Sequence, residues 1–316
     1  MTRGATTPPT SASGIFPTVK RKSLKSNKIL TLTAPAKINL FLEVLGKRPD
    51  GYHELETVMQ EIDLVDTLTL EEMGKGIELT CTQPDVPCDE NNLVWKAIHI
   101  FQKDTGVKKG IKVHLEKRIP VAAGLGGGSS DAAATLRGIN TLCNTGLNDS
   151  ELMDMAARLG SDVPFFIKGG TALCKGRGEI VTPLTVRRKF SYIVLYPDIK
   201  VSTAKVYNNL KIDLTREKKD VSFVLSALLS DAGNLPNNSL FNRLEAVALR
   251  LYPELNDFKR LLEGCLQDGV LLSGSGSAIY GCCDGQERAE NAKKKLNEQG
   301  IEKAFAVSSM LPAALA

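Results

Sequence analysis

The 316-residue sequence lacks the cysteine, histidine and apolar patterns that mark several large classes of protein. Its seven cysteines are scattered without a C-x-x-C pair, and its three histidines are too dispersed to indicate a metal cluster. This pattern is typical of buried thiols in a reducing compartment rather than of a disulfide or zinc framework. No apolar run approaches the length of a membrane span. No nucleophile-elbow motif supports a Ser-His-Asp triad.

Acidic residues are absent from the first 29 residues, which we call the leader. The leader holds six of the 40 lysines and arginines, so the rest of the chain carries 34 basic and 36 acidic residues. A broad basic face is therefore not expected, and the sequence predicts no nucleic-acid partner. Because the leader also lacks an apolar core, it is not a secretory signal. We expect a disordered leader, with an import signal as the alternative.

The composition indicates a soluble globular protein, with 42% hydrophobic and 24% charged residues. A chain of this length is expected to hold two domains, although one large domain is possible. The first half is rich in strand patterns, and the second half resembles a split βαβ sandwich. The predicted fold class is therefore α+β.

Residues 30–45 alternate as a strand. The alternation predicts one face with Ile38, Leu40, Leu42 and Val44, and an opposite face with Lys37, Asn39, Phe41 and Glu43. Further strands are predicted at 55–70, 76–82, 111–117, 165–184, 190–196, 269–281 and 303–309. Helices are predicted at 92–103, 129–142, 148–160, 220–231, 240–249, 253–266 and 285–298, and a charged surface loop at 211–220. Capping residues support two of these helices, at Asn91 or Asn92 and at the Asn148–Glu151 pair.

The stretch from Pro120 to Ala134 is the most informative part of the sequence. Four glycines precede two serines and an alanine run: Gly124, Gly126, Gly127, Gly128, Ser129 and Ser130. This order predicts a loop folded onto a helix N-terminus, whose unpaired N–H groups bind phosphate. The stretch lacks the lysine of a Walker A loop and the third glycine of the dinucleotide fingerprint. A flexible linker leading into an ordinary helix is the alternative.

Three segments, 34–40, 120–134 and 272–279, together resemble the motifs of the GHMP kinases, the family of galactokinase, homoserine kinase, mevalonate kinase and phosphomevalonate kinase. Residues 37–42, 48–53 and 160–166 are most similar to the branch that phosphorylates a CDP-linked methylerythritol. The resemblance covers residues 31 to 284. It implies a two-domain GHMP kinase fold. An N-terminal, ATP-binding domain like domain 2 of ribosomal protein S5 is expected at residues 30–185, and a ferredoxin-like C-terminal domain at residues 186–316.

The resemblance implies transfer of the γ-phosphate of ATP to the 2-hydroxyl of the CDP-linked methylerythritol, a small-molecule substrate, with Mg²⁺ as the expected cofactor. Asp162 would face the hydroxyl, and the Lys37 ammonium would pair with Asp162 and steady the alkoxide. The alternatives are an aspartate that only completes a helix end and a solvent-facing strand lysine.

The resemblance also implies binding residues. Those for ATP are Pro120, Ala122, Ala123, Gly124, Leu125, Gly126, Gly127, Gly128, Ser129 and Ser130, with Asn92, Leu93 and Lys117 beside the adenine. Those for the acceptor are Asn39, Tyr52, His53, Tyr207, Gly274, Ser275 and Gly276. The alternatives are surface tyrosines in turns and a plain hairpin at 273–277. The metal ligands are not identified, although Asp131 lies close to the loop in sequence.

Other functions stay open at this point. A GHMP kinase could act on homoserine or mevalonate, but these acceptors carry no base for Tyr52 and His53 to recognise. A nucleotide-binding sensor without transferase activity is a further alternative, against which Lys37, Asp162 and the intact loop argue. We expect a cytoplasmic location and no membrane partner, with a plastid as the alternative if the leader is an import signal.

Overall fold

The computed structural model describes residues 28–211, 218–230, 235–266 and 269–311. The leader, apart from its last two residues, and most of the charged stretch at 211–220 lie outside these ranges. The described chain forms two β-sheets with helices packed on them. Among the described helices, none combines the length and the apolarity that a bilayer span requires.

The first sheet has seven strands and a long central hairpin. Strands β1 and β2 pair antiparallel from Ile29 opposite Glu71 to Lys47 opposite His53. The order is β3-β4-β2-β1-β8, and β5 pairs with both β2 and β6. The bounds are β1 Ile29–Lys47, β2 His53–Met73, β3 Ile77–Cys81, β4 Gly110–Glu116, β5 Thr171–Gly176, β6 Ile180–Leu184 and β8 Phe241–Asn242.

A β-bulge corrects the predicted alternation of β1. The register shifts between Asn39 and Phe41, so that one extra residue is inserted and the side chains after it change faces. Phe41 therefore packs in the same hydrophobic cluster as Ile38. Leu42, predicted on the face of Ile38, lines a cavity together with Lys37. The alternation was wrong beyond the bulge, because a period of two holds only while the register is unbroken.

Four helices follow the glycine loop or flank it: α1 Leu93–Thr105, α2 Gly127–Cys143, α3 Asp149–Leu159 and α4 Val163–Lys168. Asn92 caps α1, and the Asn148–Glu151 capping box begins α3, as predicted. The expected strand from 165 was wrong over its first residues, because 163–168 form α4. Pro164 lies in the first turn, where proline is tolerated, and Gly169 ends the helix.

The second sheet has the order β11-β7-β10-β9 with every neighbouring pair antiparallel. Helices α8 and α9 connect these strands and pack on the sheet, which is the ferredoxin-like arrangement. The bounds of the second half are β7 Ser191–Leu195, α5 Thr203–Asn208, α6 Ser222–Leu229, α7 Glu245–Leu251, α8 Leu255–Leu266, β9 Val270–Leu272, β10 Ile279–Cys283, α9 Gln286–Glu298 and β11 Ala304–Ser308. Helix α5 and strand β8 were not predicted.

The two sheets are joined by strand pairing and by buried hydrogen bonds. Strand β8 pairs parallel with Phe41 and Leu42 of β1, although it belongs to the second half of the chain. The Tyr280 hydroxyl donates to the Asn39 carbonyl at 2.9 Å. These contacts cross the division at 185/186, which stays a prediction. They bring the end of the second sheet next to the middle of β1.

Candidate active site

The glycine loop has the close approach that its sequence predicts. Gly124 and Gly126 have φ of +78° and +71°, and Gly126 caps α2. A Cβ on Gly124 would lie 2.2 Å from the Ser273 carbonyl oxygen, so only glycine fits there. The chain thus passes directly from a tight loop into the N-terminus of a 17-residue helix, and the flexible-linker alternative does not describe it.

The glycine loop packs against the β9–β10 hairpin of the second sheet. The Ala278 N–H donates to the Ala123 carbonyl at 2.9 Å, and the Ser273 hydroxyl donates to the Gly124 carbonyl at 2.9 Å. The two glycine-serine motifs, about 150 residues apart in the sequence, therefore form one surface. The hairpin is more than a plain turn, because its residues complete the wall of a cavity.

Lys37 and Asp162 face each other beside the glycine loop. The Lys37 Nζ lies 3.7 Å from Asp162 Oδ2 and donates to Asn39 Oδ1 at 2.6 Å. Lys37 is 4% exposed, so the solvent-facing alternative is wrong. Burial lowers the pKa of Lys37, and the Asp162 carboxylate opposes this effect. The pair therefore offers a hydrogen-bond donor, the Lys37 ammonium, and an acceptor, the Asp162 carboxylate, to an incoming alcohol.

The Asp162 side chain does not cap the helix at whose N-terminus it lies. It occupies the N-cap of α4, yet its side chain makes no capping hydrogen bond. Its side chain is 35% exposed and lines the cavity. Since an aspartate that only completes a helix end would accept from the first-turn amides, the capping alternative does not explain this side chain.

A cavity of about 470 Å³ lies where the two sheets meet. It is lined by ten of the predicted site residues: Lys37, Asn39, Tyr52, His53, Gly124, Gly126, Asp162, Tyr207, Gly274 and Ser275. Gly276, predicted on the acceptor side, does not line it, and neither do the remaining predicted ATP residues. Those ATP residues lie along the loop, in the first turns of α1 and α2, or next to them. The cavity therefore combines the predicted catalytic pair with the predicted acceptor side.

One end of the cavity is rich in aromatic rings. The rings of His53 and Tyr207 lie 5.0 Å apart, and the Arg177 guanidinium lies over the Tyr52 ring at 4.7 Å. Burial lowers the pKa of His53, and the nearby Lys47 lowers it further. A neutral imidazole next to the Tyr207 ring, with the Tyr52 ring lining the same cavity, is suited to a flat, uncharged heterocycle.

Three predicted adenine-side residues have clear structural contacts. Asn92 accepts from the Val94 N–H at 2.8 Å and donates to the Pro87 carbonyl at 2.7 Å. Leu93 Cδ1 lies 3.9 Å from where a Cβ on Gly128 would be. These side chains shape the outer flank of the glycine loop.

Lys117, the third of these residues, is buried behind the loop. Its ammonium donates to Asp66 and to Asp131, the latter at 2.8 Å. Burial raises the pKa of Asp131, and the Lys117 ammonium opposes this effect. Asp131 was suspected as a metal ligand, but one of its oxygens is engaged by Lys117.

Sequence reasoning missed several residues that line the cavity. Arg177 lies in the Gly-Arg-Gly turn between β5 and β6, and Thr203 begins α5 after the Ser202 cap. Thr57 supports the site from β2, because its hydroxyl accepts from the Asn39 amide at 2.9 Å. The Gly-x-Gly turn was a usable signal for Arg177. Thr203 and Thr57 have no local pattern that separates them from ordinary threonines.

The first turn of α2 carries a hydroxyl group that suits a magnesium ligand. Among the residues that the structure describes, no cluster of three or more His, Cys, Asp and Glu side chains could hold a metal. The Ser130 hydroxyl is buried and has no hydrogen-bond partner within the described chain. Since Mg²⁺ takes oxygen ligands, and commonly phosphates, waters and few protein groups, this hydroxyl fits such an ion.

Comparisons with known proteins agree with this geometry. The family model described as GHMP kinases N terminal domain matches residues 92–170, and that described as GHMP kinases C terminal matches residues 224–302. The 4-diphosphocytidyl-2-C-methyl-D-erythritol kinase of Shouchella clausii (strain KSM-K16) is 43% identical over 259 residues, 82% of this chain and 87% of the relative. The kinase of the same name from Brevibacillus brevis (strain 47 / JCM 6285 / NBRC 100599) is 46% identical, over 79% of this chain and 86% of its own length.

Solved structures show the same relationship. A crystal structure of 4-(cytidine 5'-diphospho)-2C-methyl-D-erythritol kinase is 35% identical with a TM-score of 0.76, covering 88% of this chain and 98% of that chain. Homoserine kinase from Cytophaga hutchinsonii ATCC 33406 has a TM-score of 0.70 at 20% identity, covering 94% of this chain and 98% of that one. The second likeness shows the fold alone.

Proposed function

The chain belongs to the GHMP kinase family, and we propose that it transfers the γ-phosphoryl group of ATP to the 2-hydroxyl of 4-diphosphocytidyl-2-C-methyl-D-erythritol. The products are the 2-phosphate and ADP, and the reaction belongs to the non-mevalonate route to isoprenoid precursors. The observation that carries this proposal is a single cavity that holds Lys37, Asp162, the glycine loop and the aromatic end. Relatives of 39–46% identity that bear this enzyme name support the choice of acceptor.

The catalytic roles follow from the geometry of the pair. Phosphoryl transfer passes through a loose transition state, so the main tasks are to align the acceptor and to stabilise charge. Asp162 orients the acceptor hydroxyl and accepts its proton late in the transfer. The Lys37 ammonium, which is buried and held by Asn39, stabilises the developing alkoxide and phosphoryl oxygens.

The ATP phosphates are proposed to bind the glycine loop and the N-terminus of α2. Backbone N–H groups supply the contacts, helped by the helix dipole. The proposed residues are Pro120, Ala122, Ala123, Gly124, Leu125, Gly126, Gly127, Gly128, Ser129 and Ser130, with Asn92, Leu93 and Lys117 at the flank. The hydroxyls of Ser129 and Ser130 would hold a magnesium ion, which when bound supplies charge neutralisation on the phosphates.

The acceptor is proposed to place its cytosine at the aromatic end and its diphosphate at the β9–β10 hairpin. Tyr52, His53 and Tyr207 contact the base, since all three line the cavity and the rings of His53 and Tyr207 lie 5.0 Å apart. Asn39 contacts the methylerythritol, and Gly274 and Ser275 supply amide groups. Gly276, also predicted on the acceptor side, instead donates its N–H to the Ser273 carbonyl at 3.0 Å and shapes the hairpin. A cytoplasmic location, with plastid import as its alternative, remains part of the proposal.

An acceptor panel tests the proposal. ADP formation from Mg-ATP is measured with the CDP-linked methylerythritol, mevalonate and homoserine at equal concentrations. We expect turnover with the first acceptor and at most background with the other two, because neither carries a base. Equal rates on mevalonate would overturn the acceptor assignment. ATP binding without transfer to any acceptor would instead support a sensor.

A further inference from the structure

Asn242 forms a buried three-way hydrogen-bond contact behind the β9–β10 hairpin. Its side-chain amide donates to the Leu272 carbonyl at 2.8 Å and to the Gly274 carbonyl at 2.7 Å, while its oxygen accepts from the Leu244 N–H at 3.0 Å. The residue is 6% exposed and does not line the cavity. Both polar atoms of the Asn242 side chain are therefore hydrogen-bonded to backbone groups.

Fixing the Gly274 carbonyl also fixes the next amide. The peptide between Gly274 and Ser275 is trans, so its C=O and N–H point in opposite directions. With the carbonyl turned towards Asn242, the Ser275 N–H points away from Asn242, and both Gly274 and Ser275 line the cavity. No acceptor in the described part of the chain takes this N–H.

The Ser275 amide lies in a part of the cavity that suits an anion. Gly274 has a φ of +58°, and a Cβ on it would lie 3.6 Å from the Lys37 Nζ. The Ser275 hydroxyl is hydrogen-bonded to Thr203 at 2.8 Å, which fixes this residue from the other side. An unpaired N–H close to a buried ammonium attracts phosphate oxygens.

We propose that Asn242 is a positioning residue that aims the Ser275 amide at the diphosphate of the acceptor. It never touches the substrate and acts only through the hairpin backbone. Asn242 also pairs with Leu42 of β1 in the parallel β1–β8 ladder, so the hairpin amide is set relative to the strand that carries Lys37. The inference rests on the proposed function, because the acceptor supplies the diphosphate.

The test removes the two donated hydrogen bonds in two ways. Asn242→Asp keeps the shape and the acceptor for Leu244 but replaces the donors with a charge. Asn242→Ala adds no charge but loses the acceptor for Leu244 as well as the donors, so a result shared by both variants reports the donated bonds. Asn256→Asp is the matched control, because the Asn256 amide also donates to two carbonyls, those of Leu249 and Pro253, away from the cavity. We expect KM for the acceptor to rise about tenfold or more in both Asn242 variants, with KM for ATP unchanged.

A binding measurement separates positioning from a general loss of structure. The affinity for CDP should fall in the Asn242 variants, whereas the affinity for cytidine, which lacks the diphosphate, should not. In the wild-type protein the Ser275 amide proton should shift on addition of CDP and stay unchanged with cytidine. This second readout does not depend on whether the variants fold.

The outcomes distinguish the inference from the function on which it rests. If the wild type turns over the acceptor but Asn242→Asp behaves like Asn256→Asp, the positioning role is wrong. An equal loss of CDP and cytidine affinity would also overturn it, since that result indicates a disordered hairpin. Absence of wild-type turnover counts against the proposed function, and the CDP shift at Ser275 then still decides the inference.

Discussion

At the residue scale, the catalytic pair depends on a buried ammonium that is only partly compensated. Lys37 is 4% exposed, and burial lowers its pKa. The motif around Lys37 could predict its proximity to Asp162, because the resemblance covers both positions. The hydrogen bond to Asn39 fits the predicted face that the two residues share on β1. The depth of burial could not be predicted, since it depends on elements distant in sequence, such as the Asp162 loop and the β9–β10 hairpin.

Replacing the buried ammonium should separate activity from stability. We expect Lys37→Met to reduce kcat by about 10²–10³-fold, because it removes charge stabilisation in the transition state. Its free energy of unfolding should not fall, since an apolar side chain avoids the desolvation of the ammonium and Asp162 remains partly hydrated. Steady-state kinetics and thermal unfolding measure both. Lys175→Met, at an exposed ion pair with Glu56, is the control and should retain kcat.

Glu61 gives the protein a pH-dependent stability that the sequence does not reveal. Burial raises its pKa from 4.5 to about 7, against a hydrogen bond from the Gly170 N–H at 2.6 Å. Because the pKa of Glu61 is higher in the folded than in the unfolded state, its protonated form stabilises the fold. This stabilisation is complete below the unfolded pKa of 4.5 and is lost as the pH rises through about 7.

Glu61→Gln should therefore flatten the pH dependence of unfolding. Between the unfolded pKa of 4.5 and about pH 7, we expect the free energy of unfolding of the wild type to fall by about 3 kcal/mol, and that of the variant to lack this fall. The measurement is urea unfolding of both proteins at a pH below and a pH above the titration of Glu61. The same pH slope in both proteins would show that another group carries it.

At the element scale, the strongly patterned helices and strands could be predicted, and the deviations have local causes. The capped helices α1 and α3 begin where their asparagines indicate. The β1 bulge could not be predicted, because one inserted residue leaves no signature in an apolar run. Strand β8 has two residues, and its pairing with β1 is set by tertiary packing.

The glycine loop provides a test of backbone approach. Gly124→Ala forces a Cβ onto the Ser273 carbonyl at a positive φ, so we expect the loop to separate from the hairpin and KM for ATP to rise about tenfold or more. Gly264→Ala is the control, because its Cβ meets nothing within 4 Å on α8. That variant should keep the wild-type kinetics. An unchanged KM in Gly124→Ala would contradict the close packing.

At the scale of the whole molecule, the cavity exists because the two sheets are held together. Arg243, next to β8, forms a bidentate pair with Glu43 of β1 at 2.6 and 2.5 Å. Glu43 is 1% exposed and also accepts from the backbone N–H groups of Val44 and Lys219. Burial opposes ionisation of Glu43, but these hydrogen bonds outweigh it and lower its pKa.

Breaking this clamp should destabilise the protein. Arg243→Ala leaves the Glu43 carboxylate buried without its cation, and we expect a loss of about 3 kcal/mol in the free energy of unfolding. Arg260→Ala removes an exposed pair with Asp257 and should cost less than about 1 kcal/mol. Chemical unfolding of the two variants makes the comparison. Similar losses would show that the clamp acts as an ordinary surface pair.

Family motifs could predict which residues meet in the cavity, but they could not predict the residues that support them. Lys37, Asp162, Tyr52 and His53 were found because they lie within contiguous motifs. Arg177 and the other unpredicted lining or supporting residues are single residues on separate elements. Their proximity to the site is a property of the folded chain, which only coordinates reveal.

The most direct test measures γ-phosphoryl transfer in a single turnover, with enzyme in excess over the CDP-linked methylerythritol. The rate is compared between wild type, Asp162→Asn and the surface control Asp149→Asn. We predict a new phosphate monoester at the 2-oxygen for the wild type and the control. The rate in Asp162→Asn should be lower by about 10²–10³-fold, with ATP still bound. Equal rates in wild type and Asp162→Asn, or no phosphate monoester from a wild type saturated with ATP, would contradict the assignment of this cavity as a kinase active site.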